Sequence, residues 1–320
     1  MRYLARRLVH AILLLIAISM LSFMLLQWTP GDFFDTMRLD PRISAQTVEG
    51  LRSQFGVNQS FGARYLSWTR SLMRGNMGYS LSYDTPVAPL LWSRAKNTLL
   101  LAGISALLAW MIAIPIGIWS AASKGGYGDK IFGTGISTLL AIPDLVLFLV
   151  LLLIAVRTGW FPTGGMISSN FDGMSAWQKI NDGIWHFVLP SAGLAIVMLP
   201  VLVRHIRSAM IEALESPFIR AARAHGIPRM RILLRYALLA ASNPLISLLG
   251  FSIATILSGS AILEVIMSWP GLGPVMVQAI LSRDVNVVAG IVMLSSVFLV
   301  AGNLFADVLL VASDPRIRAE

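Results

Sequence analysis

Long apolar segments alternate with short polar segments along most of this chain of 320 residues. The apolar runs extend over residues 8–28, 97–122, 131–157, 186–203, 245–263 and 287–311. Each is long enough for a membrane-spanning helix, which needs at least about 17 residues, and most charges lie between the runs. The pattern therefore predicts an all-α membrane protein with six transmembrane helices.

The composition agrees with that prediction. Hydrophobic residues make up 56% of the chain and charged residues 13%, and the mean hydropathy is +0.73. The formal net charge of +9 comes from short basic clusters beside the apolar runs, so it indicates membrane topology and no binding of nucleic acid. The chain has no cysteine, and its four histidines show no ligand spacing, so we expect no metal site and no directly bound cofactor.

The basic residues also orient the predicted helices, because Lys and Arg in short loops are retained in the cytoplasm. One side holds many of them, and the short segments of the other side hold only Arg157, Lys179 and Arg283. The first set consists of Arg2, Arg6, Arg7, Lys124, Lys130, Arg204, Arg207, Arg220, Arg223, Arg229, Arg231, Arg235, Arg316 and Arg318. We therefore expect both termini in the cytoplasm. The first run ends in Gln27 and Trp28 instead of a small-residue cleavage site, which favours a retained helix over a signal peptide.

Four regions follow from this topology. Residues 1–28 form a cytoplasmic segment and the first span, and residues 29–96 an extracytoplasmic helical loop. Residues 97–314 form a five-span core with a cytoplasmic loop at 204–243, and residues 315–320 a cytoplasmic tail. Apolar side chains of the 29–96 loop recur every three or four residues, which predicts amphipathic helices on the membrane, on a partner or on the protein's own spans. They are Leu51, Phe55, Tyr65, Leu66, Trp68 and Leu72.

A short helix is predicted over residues 217–225 of the cytoplasmic loop. Ser216 supplies a capping hydroxyl, Pro217 suits the first helical position, and Gly226 tolerates a left-handed conformation that ends a helix. The helix places Phe218, Ala221 and Ala222 on one small apolar face, beside two arginines on another. We interpret this apolar face as a docking surface for a protein partner.

A second helix is predicted to follow it. Ile227 and Pro228 open this helix, which carries Arg231 and Arg235, and Asn243 with Pro244 ends it before the next span.

The run IRAARAHG at 219–226 resembles the cytoplasmic EAA loop of ABC-importer permeases, in the version of the peptide permeases. Arg220 stands where the general motif has glutamate, and Tyr236, Leu238 and Leu239 replace its later Ile-x-Leu-Pro. Further segments are similar to the dipeptide/oligopeptide permease pattern and together cover nearly the whole chain in order. These are WTPGD at 28–32, RYLSW at 64–68, GNMGYS at 75–80, WPGLG at 269–273 and DPRIR at 314–318.

The resemblance implies the fold of a type I ABC-importer permease in a bacterial inner membrane, of the first-permease type with a long loop after the first span. It also implies four partners besides membrane lipid: a second homologous permease, two nucleotide-binding ATPase subunits that hold ATP and Mg, and an extracytoplasmic substrate-binding protein. The cargo would be a short peptide, with a nickel chelate, glutathione or an oligosaccharide as alternatives. The residues that it assigns to ATPase coupling are Ser216, Pro217, Phe218, Ile219, Arg220, Ala221, Ala222, Arg223, Ala224 and Gly226.

The sequence has no G-x-x-x-x-G-K-[ST] loop, so we expect any ATP to be bound by another subunit and the chain itself to be no enzyme. Carboxylates within apolar runs are costly and normally face a bundle interior or water. Asp144, Glu264 and Asp307 are therefore candidates for the translocation path, with helix pairing as the alternative for each. Pro143 is expected to break the third helix and to create a polar spot near Asp144 that suits a peptide amino group.

Two other classes of protein match parts of the sequence less well. The Gly-x-Gly-Asp run at 126–129 matches a signature of intramembrane aspartyl proteases, with Asp144 or Asp307 as the second carboxylate, but Asp129 lies in a polar connector beside Lys130. An ion-coupled carrier would require inverted repeats, and no convincing repeat is visible.

Overall fold

The computed structural model describes residues 2–28, 33–38, 44–54 and 60–313, and within them it is helical apart from one short hairpin and the connecting loops. The motif residues 29–32 and 314–318 and Phe55 lie outside the described residues, as does the side chain of Leu51. The helices are α1 (Arg2–Trp28), α2 (Phe33–Met37), α3 (Ala45–Gln54), α4 (Phe61–Leu72), α5 (Val87–Ala122), α6 (Tyr127–Ala141), α7 (Asp144–Thr158), α8 (Ala176–Glu215), α9 (Pro217–Ala224), α10 (Arg229–Arg231), α11 (Leu238–Ala240), α12 (Ser242–Ile266), α13 (Leu272–Leu281) and α14 (Val285–Ser313). Strands β1 (Tyr79–Ser80) and β2 (Thr85–Pro86) pair antiparallel, a 3₁₀ turn covers Phe171–Gly173 and a π-helix covers Ile232–Ala237.

Five described helices, namely α1, α5, α8, α12 and α14, are long and apolar enough to cross a membrane. Helices α6 and α7 form a sixth span only as a pair, because they meet at a bend of 98°. The bend lies at Ile142 and Pro143, where both residues have extended backbone conformations and proline lacks the amide that would continue the helix. The all-α prediction, the six apolar segments and the break at Pro143 are confirmed.

Helix α8 differs from the prediction in its length. The fourth span was expected over residues 186–203, but α8 has 40 residues and passes through both Pro190 and Pro200. Membrane helices tolerate proline where neighbouring helices satisfy the freed backbone groups. A capping box starts the helix, since the Ser175 amide donates to Gln178 Oε1 at 2.9 Å. The first twelve residues of the expected 204–243 loop consequently belong to α8.

The chain divides into two compact units, of which the first is built on Thr98–Trp269 and includes the chain from Ala301 onward. Helix α8 provides its centre, where Leu202, Ile206 and Met210 are fully or almost fully buried. Helices α5 and α8 approach closely at Gly117, since a Cβ atom there would lie 2.6 Å from Ile206 Cγ2. This core is the framework on which α9 is mounted.

The second unit consists of Arg7–Asn97 and Pro270–Val300. Tyr65 and Trp68 of α4 pack on Phe23 of α1, with ring centroids 5.8 and 5.5 Å away. Of the three interpretations of the amphipathic loop, packing on the protein's own span describes this part of α4, although Leu66 is exposed. The hairpin was not predicted; it is fastened by Asp284, whose Oδ2 accepts the Ser80 hydroxyl at 2.7 Å. Helix α5 also begins at Val87, ten residues before the apolar run.

Candidate functional site

The short helix predicted over 217–225 is present as α9, with Pro217 at its start. The expected cap by Ser216 is wrong: its hydroxyl donates to the Ala213 carbonyl at 2.5 Å and caps no amide of α9. Ser216 is also the residue that ends α8, and the last carbonyls of a helix lack partners within it. The hydroxyl therefore closes α8, and the turn between α8 and α9 is a single residue.

The left-handed helix end predicted at Gly226 is present, and it takes the form of a Schellman motif. Gly226 has φ +72°, its amide donates to the Arg223 carbonyl at 3.0 Å, and the Ile227 amide donates to the Ala222 carbonyl at 3.2 Å. A Cβ atom at Gly226 would meet nothing within 4 Å, so backbone conformation and not space requires glycine here.

The two faces of α9 differ from the predicted ones. Ile219 is fully buried and Ala222 is 8% exposed, so these residues, one turn apart, attach the helix to its own chain. The predicted apolar docking face included Ala222, and that assignment is wrong because the helix needs an inward face of its own. Phe218 is 48% exposed and Ala221 is exposed, and the outward surface also includes Arg220, Arg223 and Ala224.

A groove of about 560 Å³ lies beside α9, at the ends of α5 and α8. Its floor is apolar, and its rim carries three basic side chains and one acidic side chain. Lys124 Nζ and Glu215 Oε1 are 2.5 Å apart, and Arg229 donates to the Ala122 carbonyl at 2.5 Å. The lining residues are Ala121, Ala122, Lys124, Ile211, Leu214, Glu215, Arg223, Ile227, Arg229, Ile232 and Leu233. The polar turn after α5, the end of α8 and the segment after α9 thus meet around one basic, partly apolar surface.

The predicted second helix of this loop is present but irregular. A π-helix over Ile232–Ala237 separates α10 from α11 and contains Arg235, while Arg231 closes α10. Ile232, Leu233 and Ala237 are buried, so this irregular segment is packed on the core of the first unit. The chain turns at Ala241, and Asn243 and Pro244 lie in the first turn of α12 instead of forming the break.

The three acidic candidates occupy different environments. Asp144 begins α7 and is exposed, at a helix end whose free amides favour a carboxylate. Glu264 in α12 is fully buried and Asp307 in α14 is 8% exposed, so burial in the first unit favours helix pairing for both. A contact of Asp144 with cargo stays a prediction.

Asp129, the aspartate of the Gly-x-Gly-Asp run, is held by an arginine. Arg207 Nε and Nη2 donate to its two carboxylate oxygens, each at 2.7 Å, and the Ser120 hydroxyl donates to Oδ1 at 2.6 Å. An aspartyl protease needs two carboxylates that share a proton, whereas the charge opposite Asp129 is a guanidinium. The protease interpretation is therefore wrong for this residue.

This pair is not predicted from the sequence, where Arg207 contributes only to the expected topology. One signal is present in the sequence: an arginine one turn beyond the end of one apolar run, and an acid two residues before the start of another. Spacing alone did not show that these two residues meet.

A second cavity of about 770 Å³ lies where α7 ends and α8 begins. Trp160, Phe161 and Trp185 line it together with polar side chains. Asp182 accepts the Ser168 amide at 2.9 Å and also its hydroxyl, which fixes the loop at this cavity.

Profiles of known families match almost the whole chain. The family described as "Binding-protein-dependent transport system inner membrane component" matches residues 113–319. A second profile, described as "Binding-prot-dependent transport system membrane comp, N-term", matches residues 1–102. The first match contains the groove, α9 and the Asp129–Arg207 pair.

Individual relatives agree with the profiles. "Oligopeptide transport system permease protein AppB" of Bacillus subtilis is 37% identical over 319 residues, with 98% of each chain covered. "Dipeptide transport system permease protein DppB" of Escherichia coli is 30% identical, with 99% of each chain covered. Among solved structures, a chain of the inward-facing MetNI methionine ABC transporter matches 70% of this chain and 96% of its own length, with a TM-score of 0.57 and 19% identity, which concerns the fold alone. This chain belongs to the inner-membrane components of binding-protein-dependent transport systems.

Proposed function

We propose that this chain is one permease subunit of an ATP-binding-cassette importer and forms half of the path for short peptides delivered by a binding protein. The observation that carries the proposal is α9, whose inward residues Ile219 and Ala222 anchor it and whose outward residues Phe218 and Ala221 are free to enter a partner. Full-length similarity to oligopeptide and dipeptide permeases supports the peptide class.

In this proposal the partners supply what the chain lacks. Two ATPase subunits bind ATP and Mg, a second homologous permease completes the path as a heterodimer, and an extracytoplasmic binding protein delivers the cargo. The chain is no enzyme, and its long apolar helices contact membrane lipid.

The proposed coupling step depends on how α9 is attached to the rest of the chain. Residues 216–226 would seat in a cleft on the ATPase, with Phe218 as the apolar anchor and Arg220 and Arg223 at its rim. Because α9 joins α8 through the single residue Ser216, closure of the ATPases would move the central helix of the first unit directly. Asp144 is the proposed contact for the amino group of the peptide.

The proposal is tested by reconstitution in proteoliposomes. The purified chain alone is expected to hydrolyse no ATP, whereas the complex with the second permease, both ATPases and the binding protein is expected to import a labelled peptide with ATP. Excess unlabelled peptide should compete, and a nickel chelate, reduced glutathione and an oligosaccharide should not. Robust hydrolysis by the pure chain would contradict the permease role, and competition by one of the other solutes would contradict the peptide class.

The proposed orientation, with both termini in the cytoplasm of a bacterial cell, is tested by cysteine labelling. The chain has no native cysteine, so single cysteines can replace the exposed residues Ser60, Ser169 and Tyr127. We expect an impermeant maleimide to label positions 60 and 169 in intact cells and position 127 only after permeabilisation. Labelling of position 127 in intact cells would invert the orientation and remove α9 from the side of the ATPases.

A further inference from the structure

Four hydrogen bonds converge on one carboxylate at the polar turn between α5 and α6. Two come from the Arg207 fork on α8, one from the Ser120 hydroxyl on α5, and one from the Gly125 amide, at 2.9 Å from Asp129 Oδ2. Asp129 is only 8% exposed, while the Arg207 side chain is 34% exposed. Bidentate bonds between a guanidinium and a carboxylate fix orientation as well as distance. This cluster therefore sets the angle between α6 and α8 in addition to joining them.

Helix α6 has few other attachments to this unit. Asp129 is its one buried residue, and most of the following side chains, from Ile131 to Leu140, are exposed. Ile136 packs on the core in part, and Phe132 meets the Trp119 ring edge-on at 5.1 Å. The ion pair is thus the chief attachment of α6, whereas α7 packs on the core directly through its buried residues Phe148 and Ala155.

The two residues of the ion pair lie on helices with different roles in the proposed mechanism. Arg207 lies on α8, nine residues before Ser216 and the start of α9. Asp129 lies on α6, which leads through the 98° bend to Asp144 at the start of α7. A displacement of α9 therefore moves α8 through the chain itself, and the ion pair connects α8 to α6 and the bend that follows it.

We propose that the Asp129–Arg207 pair is a positioning element of the transport cycle, which transmits the movement of α8 to α6 and so to the bend at the end of α6. This inference rests on the proposed role of α9 in coupling. Neither residue touches ATP or cargo in this mechanism. Loss of the pair should therefore leave the ATPases able to dock and turn over while α6 no longer follows α8.

The test is the amount of peptide imported per ATP hydrolysed by the reconstituted importer with Asp129→Asn. The amide has the same shape but lacks the charge that orients the Arg207 fork. We expect this ratio to fall about tenfold, within the range of typical coupling effects, while ATP hydrolysis stays within about twofold of wild type. Lys130→Gln is the matched control, because it removes a charge from the adjacent exposed residue of α6 and should leave the ratio unchanged.

A second variant separates positioning from stability. Asp129→Asn leaves the Arg207 charge without its partner, whereas Asp129→Asn combined with Arg207→Gln removes both charges. The double variant should recover membrane abundance and still import little peptide per ATP, since an amide pair is a weaker link. Recovery of the full ratio by the double variant, or a normal ratio with Asp129→Asn, would overturn the positioning role. The two proposals fail in different ways. If the α9 proposal is wrong, variants of the outward α9 face leave stimulated ATP hydrolysis intact, whereas failure of the positioning role shows as a normal import ratio with Asp129→Asn.

Discussion

The Ala221→Glu variant is expected to lose substrate-stimulated ATP hydrolysis and import while reaching wild-type abundance in the membrane. Ala221 is exposed on the outward face of α9, so its side chain is not part of the packed core. A carboxylate at this position would have to be desolvated in the ATPase cleft, which costs several kcal/mol, and every ~1.4 kcal/mol weakens docking tenfold. Stimulated activity should therefore fall by about two orders of magnitude.

The measurement is ATP hydrolysis by the reconstituted complex, with and without loaded binding protein, at matched amounts of permease. Ala63→Glu is the control, because it introduces the same side chain at an exposed helical alanine of α4, far along the chain from α9. Full stimulated activity of Ala221→Glu would show that the outward face of α9 is not the coupling surface.

The neighbouring variant Ala222→Glu is expected to fail for a different reason. Ala222 is 8% exposed beside the fully buried Ile219, so a glutamate here would force an unpaired charge into the attachment of α9. Such a charge costs several kcal/mol, which is a large part of the ~5–15 kcal/mol that stabilises a typical domain. We expect membrane abundance to fall about tenfold.

Abundance is measured by quantitative immunoblotting of membranes, with thermal unfolding of the detergent-purified protein as a second readout. Ala222→Ser, which adds one small hydroxyl, should stay close to wild type in both. If Ala222→Glu were abundant and stable but inactive, Ala222 would contact a partner instead of its own chain.

Much of the fold is predictable because each signal acts locally. Apolar runs mark the spans, Pro143 marks the break and Gly226 marks the end of α9. The local signals fail at Pro190 and Pro200, which look like helix ends but lie inside α8, where neighbouring helices decide. Local signals also assign the Ser216 hydroxyl to the wrong helix, because Ser216 lies between the end of α8 and the start of α9 and its hydroxyl bonds to α8.

The site is less predictable than the fold because it depends on packing between distant segments. Helical spacing groups Phe218, Ala221 and Ala222, but only the position of the core decides which of them points inward. Likewise, Asp129 and Arg207 are 78 residues apart, and no local pattern pairs them.

The bend between α6 and α7 has a consequence for what can surround this chain. Helices α6 and α7 have 15 residues each, or about 22 Å at 1.5 Å per residue, which is shorter than the ~30 Å hydrocarbon layer. The elbow at Ile142 and Pro143 therefore leaves helix-end carbonyls and amides at a depth where acyl chains offer no hydrogen bonds. A single copy of this chain in pure lipid would carry that penalty permanently. These carbonyls and amides are satisfied only where water or another protein surface reaches the bend. Their hydrogen bonding therefore favours an assembly of subunits over a single copy in lipid.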